Sequence, residues 1–564
     1  MELTGAQIVC KSLLREGCNV VFGIPGGAIL PLYQALPEFT DLRHVLVRHE
    51  QGASHAADGY ARISGKPGVA FATSGPGATN LVTGIASAQM DSVPMVIITG
   101  QVSSWTIGTD AFQETDITGI TLPITKHNQL VMNASDISTA ISEAFYIAST
   151  GRPGPVLVDI PRNVFLEKVE YKEPSSVDLP GYKPNLRGNK RQIAKAVSMI
   201  DESERPVILA GHGVIISQAY EELKELAEKS QIPVITTLLG IGGFPSDHIL
   251  STGWPGMHGM AYSSLAIEEA DLLIALGMRF DDRITGNPKK FSTNSRKIHV
   301  DVDPSEIGKN IAVDVPIVGD VRSVLQGINK SVKPNVHKEW LDRIDVLRHE
   351  HPSLNIPDTD KLLGRHVIKD LSDVTDGRAT IVTGVGQHQM WAAQHYSFKN
   401  RCSFISSGGS GTMGFEVPAA LGAQIADPNA TVWSIAGDGG FQMTMSELAT
   451  IVENKLPIKF AILNNGFLGM VRQWQEIFFE SSYVSTSYTG NPDFVKLADA
   501  YGIKGIRVTD RSKVKIAIEE AMAHEGAVII DFVVEKEENV YPMIPSGMTV
   551  QDMIEEPIHE KVVT

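Results

Sequence analysis

The chain has 564 residues, 43% of them apolar and 20% charged, so at about 150 residues per domain it can build three to four globular domains and is too apolar to be disordered. Its 49 basic and 65 acidic residues leave a net charge of −16, a surface that repels phosphate backbones and excludes general nucleic-acid binding. The three cysteines, Cys10, Cys18 and Cys402, have no CxxC spacing, which excludes a disulfide scaffold or a cysteine-rich zinc site and fits a reducing compartment.

The amino-terminal MELTGAQIVCKSLLREG reads as an amphipathic helix and not as a secretory or transit peptide. No apolar run approaches the roughly 18 residues that span a bilayer, so a cytoplasmic protein without membrane contact is expected. Short β-rich runs then alternate with helical segments, the pattern of parallel sheets covered by helices. One group of strands is expected at 19–24, 44–47, 69–74, 94–99 and 155–160, and a second at 206–211, 233–238, 271–277 and 297–303. A third falls at 380–386, 432–438, 458–465 and 527–534. Polar, proline-bearing stretches at 171–190, 329–335 and 351–360 separate the groups. The expected fold class is α/β, with three domains, each a mainly parallel sheet flanked by helices, over 1–170, 190–335 and 360–540, and a tail at 541–564.

Within the first group, VRHEQGASHAADGYAR (47–62) places Glu50 where a helix begins, a position at which a lone Glu complements the helix dipole. His49 and His55 are six apart and cannot share a helix face, so HEQGASH is not a zinc-protease helix. ATSGPGATN (72–80) runs from a strand into a Gly-rich turn and, alone, is only a phosphate-loop lookalike. GYARISGKP (59–67) is not a Walker loop, because Pro67 stands where Ser or Thr is required.

The strongest local signal is GDGGFQMTMSELATIVENKLPIKFAILNN in the third group. A strand ends at Ala436, Gly437-Asp438-Gly439 turns towards the helix MSELATIVENK, and a second strand ends at Asn464-Asn465. In a parallel βαβ unit both strand ends lie on one sheet edge, so Asp438 and Asn465 can converge. A carboxylate, an amide oxygen and a loop carbonyl form an all-oxygen half-shell for Mg²⁺, which completes its octahedron with phosphate oxygens and water. Either half alone reads as a tight turn or a helix cap; the pair on one unit is specific.

GDG with NN, the early Glu50 and GPGATN together resemble the thiamine diphosphate (ThDP) enzymes, ordered as pyrimidine-binding ThDP fold, middle Rossmann-like domain and diphosphate-binding ThDP fold. GTDAFQETDITGI (108–120), GRPGPVLVDIPR (151–162), GMRFDDRITG (277–286), GQHQMWAAQ (386–394), GTMGFE (411–416), GMVRQWQ (469–475) and YPMIPSGMTVQDMI (541–554) narrow the resemblance to acetohydroxyacid (acetolactate) synthase catalytic subunits, nearly end to end.

The resemblance implies decarboxylation of pyruvate on ThDP and transfer of the hydroxyethyl unit to a second 2-ketoacid, pyruvate or 2-ketobutyrate, in branched-chain amino acid biosynthesis. It implies that Glu50 shares a proton with the aminopyrimidine ring, that Met413 wedges the bent cofactor with Val385 beside it, and that the Gly411 carbonyl holds its amine. Asp438, Asn465 and Phe467 would hold Mg²⁺, with Gly27, Gln387, His388, Gly437, Gly439 and Met470 around the cofactor. Arg283 would take the second carboxylate and Trp474 form the wall for its alkyl group, with Phe112, Gln113, Met257 and Met470 lining the pocket. Taken alone, Arg283 beside Asp281 and Asp282 is a surface ion-pair cluster and Trp474 a core residue.

The middle domain resembles the FAD-binding version of the family, with Arg152, Gly211, Gly213, Thr237, Leu238, Leu239, His258, Arg279, Glu306, Ile307, Asp320 and Val321 at the positions that cradle FAD. No net electrons move in the reaction, so FAD would be structural. A homodimer or homotetramer with sites shared between subunits, and a small regulatory subunit, are implied as well.

Four departures stand out. Gly384 replaces an acidic residue before VGQHQ, Ser410 an apolar one, Glu416 a glycine after GTMGF, and Arg162 a common Lys. An extra carboxylate near the diphosphate would weaken cofactor binding, so Glu416 is expected to face a partner or solvent. Arg283 and Trp474 argue against a pyruvate oxidase or an oxalyl-CoA decarboxylase. Intact Glu50, Asp438 and Asn465 argue against a non-catalytic cofactor-binding paralogue.

Overall fold

The computed structural model describes residues 1–556. Three parallel sheets follow one another along the chain. The first has the spatial order Arg43–Leu46, Val20–Gly23, Gly68–Ala72, Met95–Gln101, Pro155–Pro161, His127–Leu130. The second runs Val234–Thr236, Pro206–Ala210, Leu272–Leu276, Arg296–Asp301, Val315–Val318. The third runs Phe404–Ser406, Thr380–Thr383, Val432–Gly437, Lys459–Asn464, Val528–Val533, Lys504–Val508. The first and third have the same six-stranded order, two related folds on either side of a smaller one. Their central strands are buried on both faces and rich in Val, Ile and Ala, as parallel sheets between helices require.

Every expected strand forms, but the edge strands His127–Leu130, Val315–Val318, Phe404–Ser406 and Lys504–Val508 were not foreseen. Two of them, His127–Leu130 and Lys504–Val508, are polar and half-exposed, so they lack the apolar run that marks a buried strand. The amino terminus also differs from a single helix. Glu2–Thr4 pair antiparallel with Lys168–Glu170, and the helix starts at Gly5, capped by a reciprocal Thr4–Gln7 hydrogen-bonded pair.

The first and third units meet through two helices, Glu50–Ser64 and Glu416–Ala426. Their crossing is close because a Cβ on Gly59 would strike the Ala419 carbonyl and one on Gly422 the Ala56 carbonyl. Buried Arg62 adds ion pairs to Asp58 (2.6 Å) and Asp91 (2.8 Å) beside that contact. Among the described residues no helix is long and apolar enough to cross a membrane. The tail segment 541–556 packs near the middle unit, with the Ile544 amide donating to the Met257 carbonyl (2.8 Å); its remainder, 557–564, lies outside the described residues.

Candidate active site

The strands Val432–Gly437 and Lys459–Asn464 are neighbours in parallel register, Gly437 opposite Leu463, so their carboxyl ends open at one edge. Asp438 is not part of a turn, as the sequence reading had it, but the first residue of the helix Asp438–Thr444. Its Oδ2 accepts a hydrogen bond from Asn491 Nδ2 at 2.5 Å, while Oδ1 is buried without a partner. Burial pushes this carboxyl up to about 6, against the pull of Asn491. Asn465 donates from Nδ2 to Gln387 Oε1 (3.2 Å) and accepts at Oδ1 from the Phe467 amide (3.0 Å). The Tyr488 amide donates to the Gly466 carbonyl (2.8 Å) and fixes the turn that carries Phe467.

Close approach accounts for the glycines here. A Cβ on Gly437 would lie 3.0 Å from His388 Nδ1, and one on Gly469 2.7 Å from Asn465 Nδ2. His388 is buried, its Nε2 has no partner, and burial lowers its pKa to about 3, so the ring is neutral at pH 7. Among the described residues no three His, Cys, Asp or Glu side chains gather as a metal cluster. The donor set at Asp438 is one carboxylate with amide and carbonyl oxygens, and its orphaned Oδ1 suits Mg²⁺ accompanied by a phosphate group.

A cavity of about 620 Å³ is lined by residues of all three units. Val385, Gly411, Met413, Met470, Arg283 and Trp474 are among its lining residues. Gly411 has φ +66°, and a Cβ there would touch Val385 Cγ1 at 3.8 Å. Arg283 is not locked in a surface ion pair: its nearest carboxylate oxygen, on Asp282, is 4.0 Å away, and Nη1 lies 3.0 Å from the Met257 sulfur. Trp474 and Met470 sit on the helix Gly469–Phe478, half-exposed and lining the cavity, and Met470 also packs against the hydrophobic core. The loop ahead of Gly411 is held from the first unit, where Asp91 accepts the amides of Gly409 (2.7 Å) and Gly408 (3.1 Å).

The same cavity continues along Arg152, Gly213, Thr237, Leu238, Leu239, His258, Arg279, Glu306, Asp320 and Val321. Arg152 is set by ion pairs to Glu306 (2.6 Å) and Asp303 (3.3 Å). Both ring nitrogens of buried His258 lack partners, so the cradle retains unused polar groups that suit a bound dinucleotide. Two expected positions fall outside the lining. Gly211 packs under the Gly277 carbonyl, where a Cβ would not fit, and Ile307 lies off the cavity wall.

Glu50, Gly27, Phe112 and Gln113 do not line this cavity, and neither do Gln387, His388, Gly437, Asp438, Gly439, Asn465 and Phe467 of the third unit. Glu50 opens the helix Glu50–Ser64, half-buried, and its Oε2 accepts from Asn80 Nδ2 (2.9 Å). A Cβ on Gly77 would lie 3.3 Å from Glu50 Oε1, and one on Gly75 2.8 Å from the Gln113 carbonyl, so the GPGATN turn gathers Glu50 and Gln113. Phe112 beside them is 89% exposed. The expected residues thus fall in three groups: Glu50 and Gln113 at the GPGATN turn of the first unit, Asp438, Asn465, Gln387 and His388 at the sheet edge of the third, and a cavity lining drawn from all three units.

Glu416 departs from expectation. It faces neither partner nor solvent: it is fully buried, and its carboxyl lies against Gly384 and Gly440. Asn491 and Asp91 carry no local sequence signal, because each acts through a hydrogen bond to a distant segment; Asn80 closes the GPGATN motif, but its bond to Glu50 spans thirty positions and is not marked there.

Three family models match the chain: the N-terminal TPP binding domain of thiamine pyrophosphate enzymes over residues 3–120, their central domain over 193–328 and their C-terminal TPP binding domain over 384–532. An acetolactate synthase of Mycobacterium leprae is 50% identical over 558 residues, 97% of this chain and 89% of that one. The acetolactate synthase large subunit of Corynebacterium glutamicum is 49% identical over 98% of this chain and 90% of its own. That of Porphyra purpurea is 48% identical over 98% and 95%. The chain belongs to the thiamine pyrophosphate enzyme family and, within it, to the acetolactate synthase large subunits.

Proposed function

We propose that this chain condenses two 2-ketoacids, releasing carbon dioxide from pyruvate and joining the remaining two-carbon unit to pyruvate or 2-ketobutyrate. Bound ThDP supplies the electron sink for decarboxylation. The observation that carries the reading is the single cavity in which Arg283 and Trp474 face Val385, Gly411 and Met413. Arg283, without a close ion-pair partner, offers a cation for the acceptor carboxylate, and Trp474 an apolar wall for its alkyl group.

Asp438, Asn465 and the Phe467 carbonyl would hold Mg²⁺, and neutral His388 can hydrogen-bond the diphosphate. The part of the cavity lined by Arg152 and His258 would hold FAD, with these two as polar contacts. Glu50 would hold the proton at the pyrimidine ring. Glu50 lies outside the cavity lining, as Asp438 and Asn465 do, and a second copy supplying Glu50, Phe112 and Gln113 would complete each site, in a homodimer or homotetramer. A small regulatory subunit fits the large-subunit naming of the relatives, and a cytoplasmic location fits the reduced cysteines.

Purified protein given pyruvate should form acetolactate only with ThDP and Mg²⁺ added. Formation of acetate or an acyl phosphate instead would replace this reading with an oxidase.

A further inference from the structure

Lys126 directly precedes the edge strand His127–Leu130 and is half-buried. Its Nζ donates to the Ile147 carbonyl, the Thr150 carbonyl (2.8 Å) and the Tyr182 hydroxyl (2.9 Å). The two carbonyls lie in the last turn of the helix Ile137–Ser149 and at its C-cap, where the helix leaves acceptors unsatisfied. Tyr182 donates in turn to the same Thr150 carbonyl (2.5 Å). The GRPGP segment (151–155) closes around this centre. Gly151 has φ +60°, and a Cβ there would lie 2.9 Å from the Tyr182 hydroxyl; one on Gly154 would lie 2.9 Å from Lys126 Cγ and from Gln89 Oε1. Arg152, carried between these glycines, lines the cavity and donates to Ser92 Oγ (2.8 Å) besides its ion pairs to Glu306 and Asp303.

Tyr182 belongs to the polar stretch 171–190 that joins the first unit to the middle one. Further along it, the Leu186 carbonyl accepts the Asp320 amide of the middle unit (3.0 Å), and Leu186 and Asp320 both line the cavity. The linker is thus fastened on each side of a short span: to Lys126 on the first unit and to Asp320 on the middle one. We propose that Lys126 is a positioning residue for the dinucleotide: by holding Tyr182 and the Thr150 carbonyl at one point, it fixes Arg152 and the 182–186 strap as walls of the part of the cavity that would hold FAD. This role rests on the FAD reading of that cavity. Burial lowers the Lys126 pKa to about 8, with Asp303 opposing the fall and Arg152 adding to it. The hydroxyl of Tyr182, the other titratable group in contact, is pushed up by burial and stays protonated through this range. The ammonium that serves three acceptors is therefore complete below about pH 8 and loses its charge and one donor above it.

A lysine that only capped a helix would, when lost, lower thermal stability and leave FAD affinity unchanged. The test therefore reads FAD affinity, by quenching of flavin fluorescence on full-length protein freed of FAD, for wild type, K126M and Y182F at pH 7 and pH 9. At pH 7, K126M should weaken binding about 10-fold or more and Y182F about threefold or more, the scale of a lost hydrogen bond to a charged group. Wild-type affinity should fall severalfold between the two pH values, while that of K126M, with no ammonium to titrate, should stay within about twofold. Should K126M fail to fold, Y182F and the wild-type pH profile decide the matter together. Unchanged FAD affinity in either variant, whatever its thermal stability, or a wild-type affinity equal at both pH values, overturns the role and leaves the FAD reading standing. A wild-type chain that binds no FAD overturns both.

Discussion

Asn491 donates from one amide nitrogen to Asp438 Oδ2 (2.5 Å) and Asn464 Oδ1 (3.2 Å), and so aims the carboxylate along the sheet edge with Oδ1 left free. A group that orients a metal ligand tunes affinity without touching the ion. Asn491→Ala should raise the Mg²⁺ concentration needed for half-maximal activity about 10- to 100-fold, with secondary structure unchanged. A Mg²⁺ titration that superimposes on wild type would remove Asn491 from the site.

Glu50→Gln keeps the side chain's size and its contact with Asn80 but removes the proton-sharing carboxyl. Turnover should fall about 100-fold or more while ThDP still binds, because general acid–base groups contribute on that scale. Near-normal turnover in steady-state acetolactate assays would contradict the role.

Trp474→Leu removes the aromatic wall from the cavity that it lines with Arg283 and Met470. Pyruvate homocoupling should survive while preference for 2-ketobutyrate falls severalfold, since one methylene in an apolar pocket is worth about 1–3 kcal/mol. The product ratio from a mixture of the two acceptors reads this directly, and an unchanged ratio would count against it.

Burial pushes the Glu416 carboxyl up from its ordinary 4.5 to about 7, against the nearby Gly414 and Glu416 amides. Its stabilising contribution is therefore fully present below about pH 4.5 and is lost as pH rises through about 7, a swing of up to about 3 kcal/mol. Glu416→Gln should make the cofactor-free protein more stable than wild type at pH 8, with the advantage shrinking towards pH 5. Denaturant unfolding at the two pH values measures it, and an equal gap at both would refute the assignment.

Buried parallel strands were legible because apolar runs such as PMVIIT and AVIIDFVV have no other stable destination. Half-exposed edge strands such as His127–Leu130 carry no such mark, and only their neighbours define them. The same contrast divides the site. Asp438 and Asn465 lie at the ends of recognisable strands, whereas Asn491 and Asp91 act across distances that no local pattern encodes. Glu416 was read the wrong way because its surroundings are glycines: the space over Gly384 and Gly440 appears only once the strand end and the helix start are side by side.

Glu50, hydrogen-bonded to Asn80 on the first unit, and Asp438, hydrogen-bonded to Asn491 on the third, would meet in one site across two chains. The most direct measurement mixes two inactive variants, Glu50→Gln and Asp438→Asn, after dissociating and reassociating them together. A mixed dimer pairs both lesions in one site and leaves the other intact, so an equimolar mixture should regain about a quarter of wild-type acetolactate formation. No recovery from variants that demonstrably reassociate would contradict a site shared between subunits.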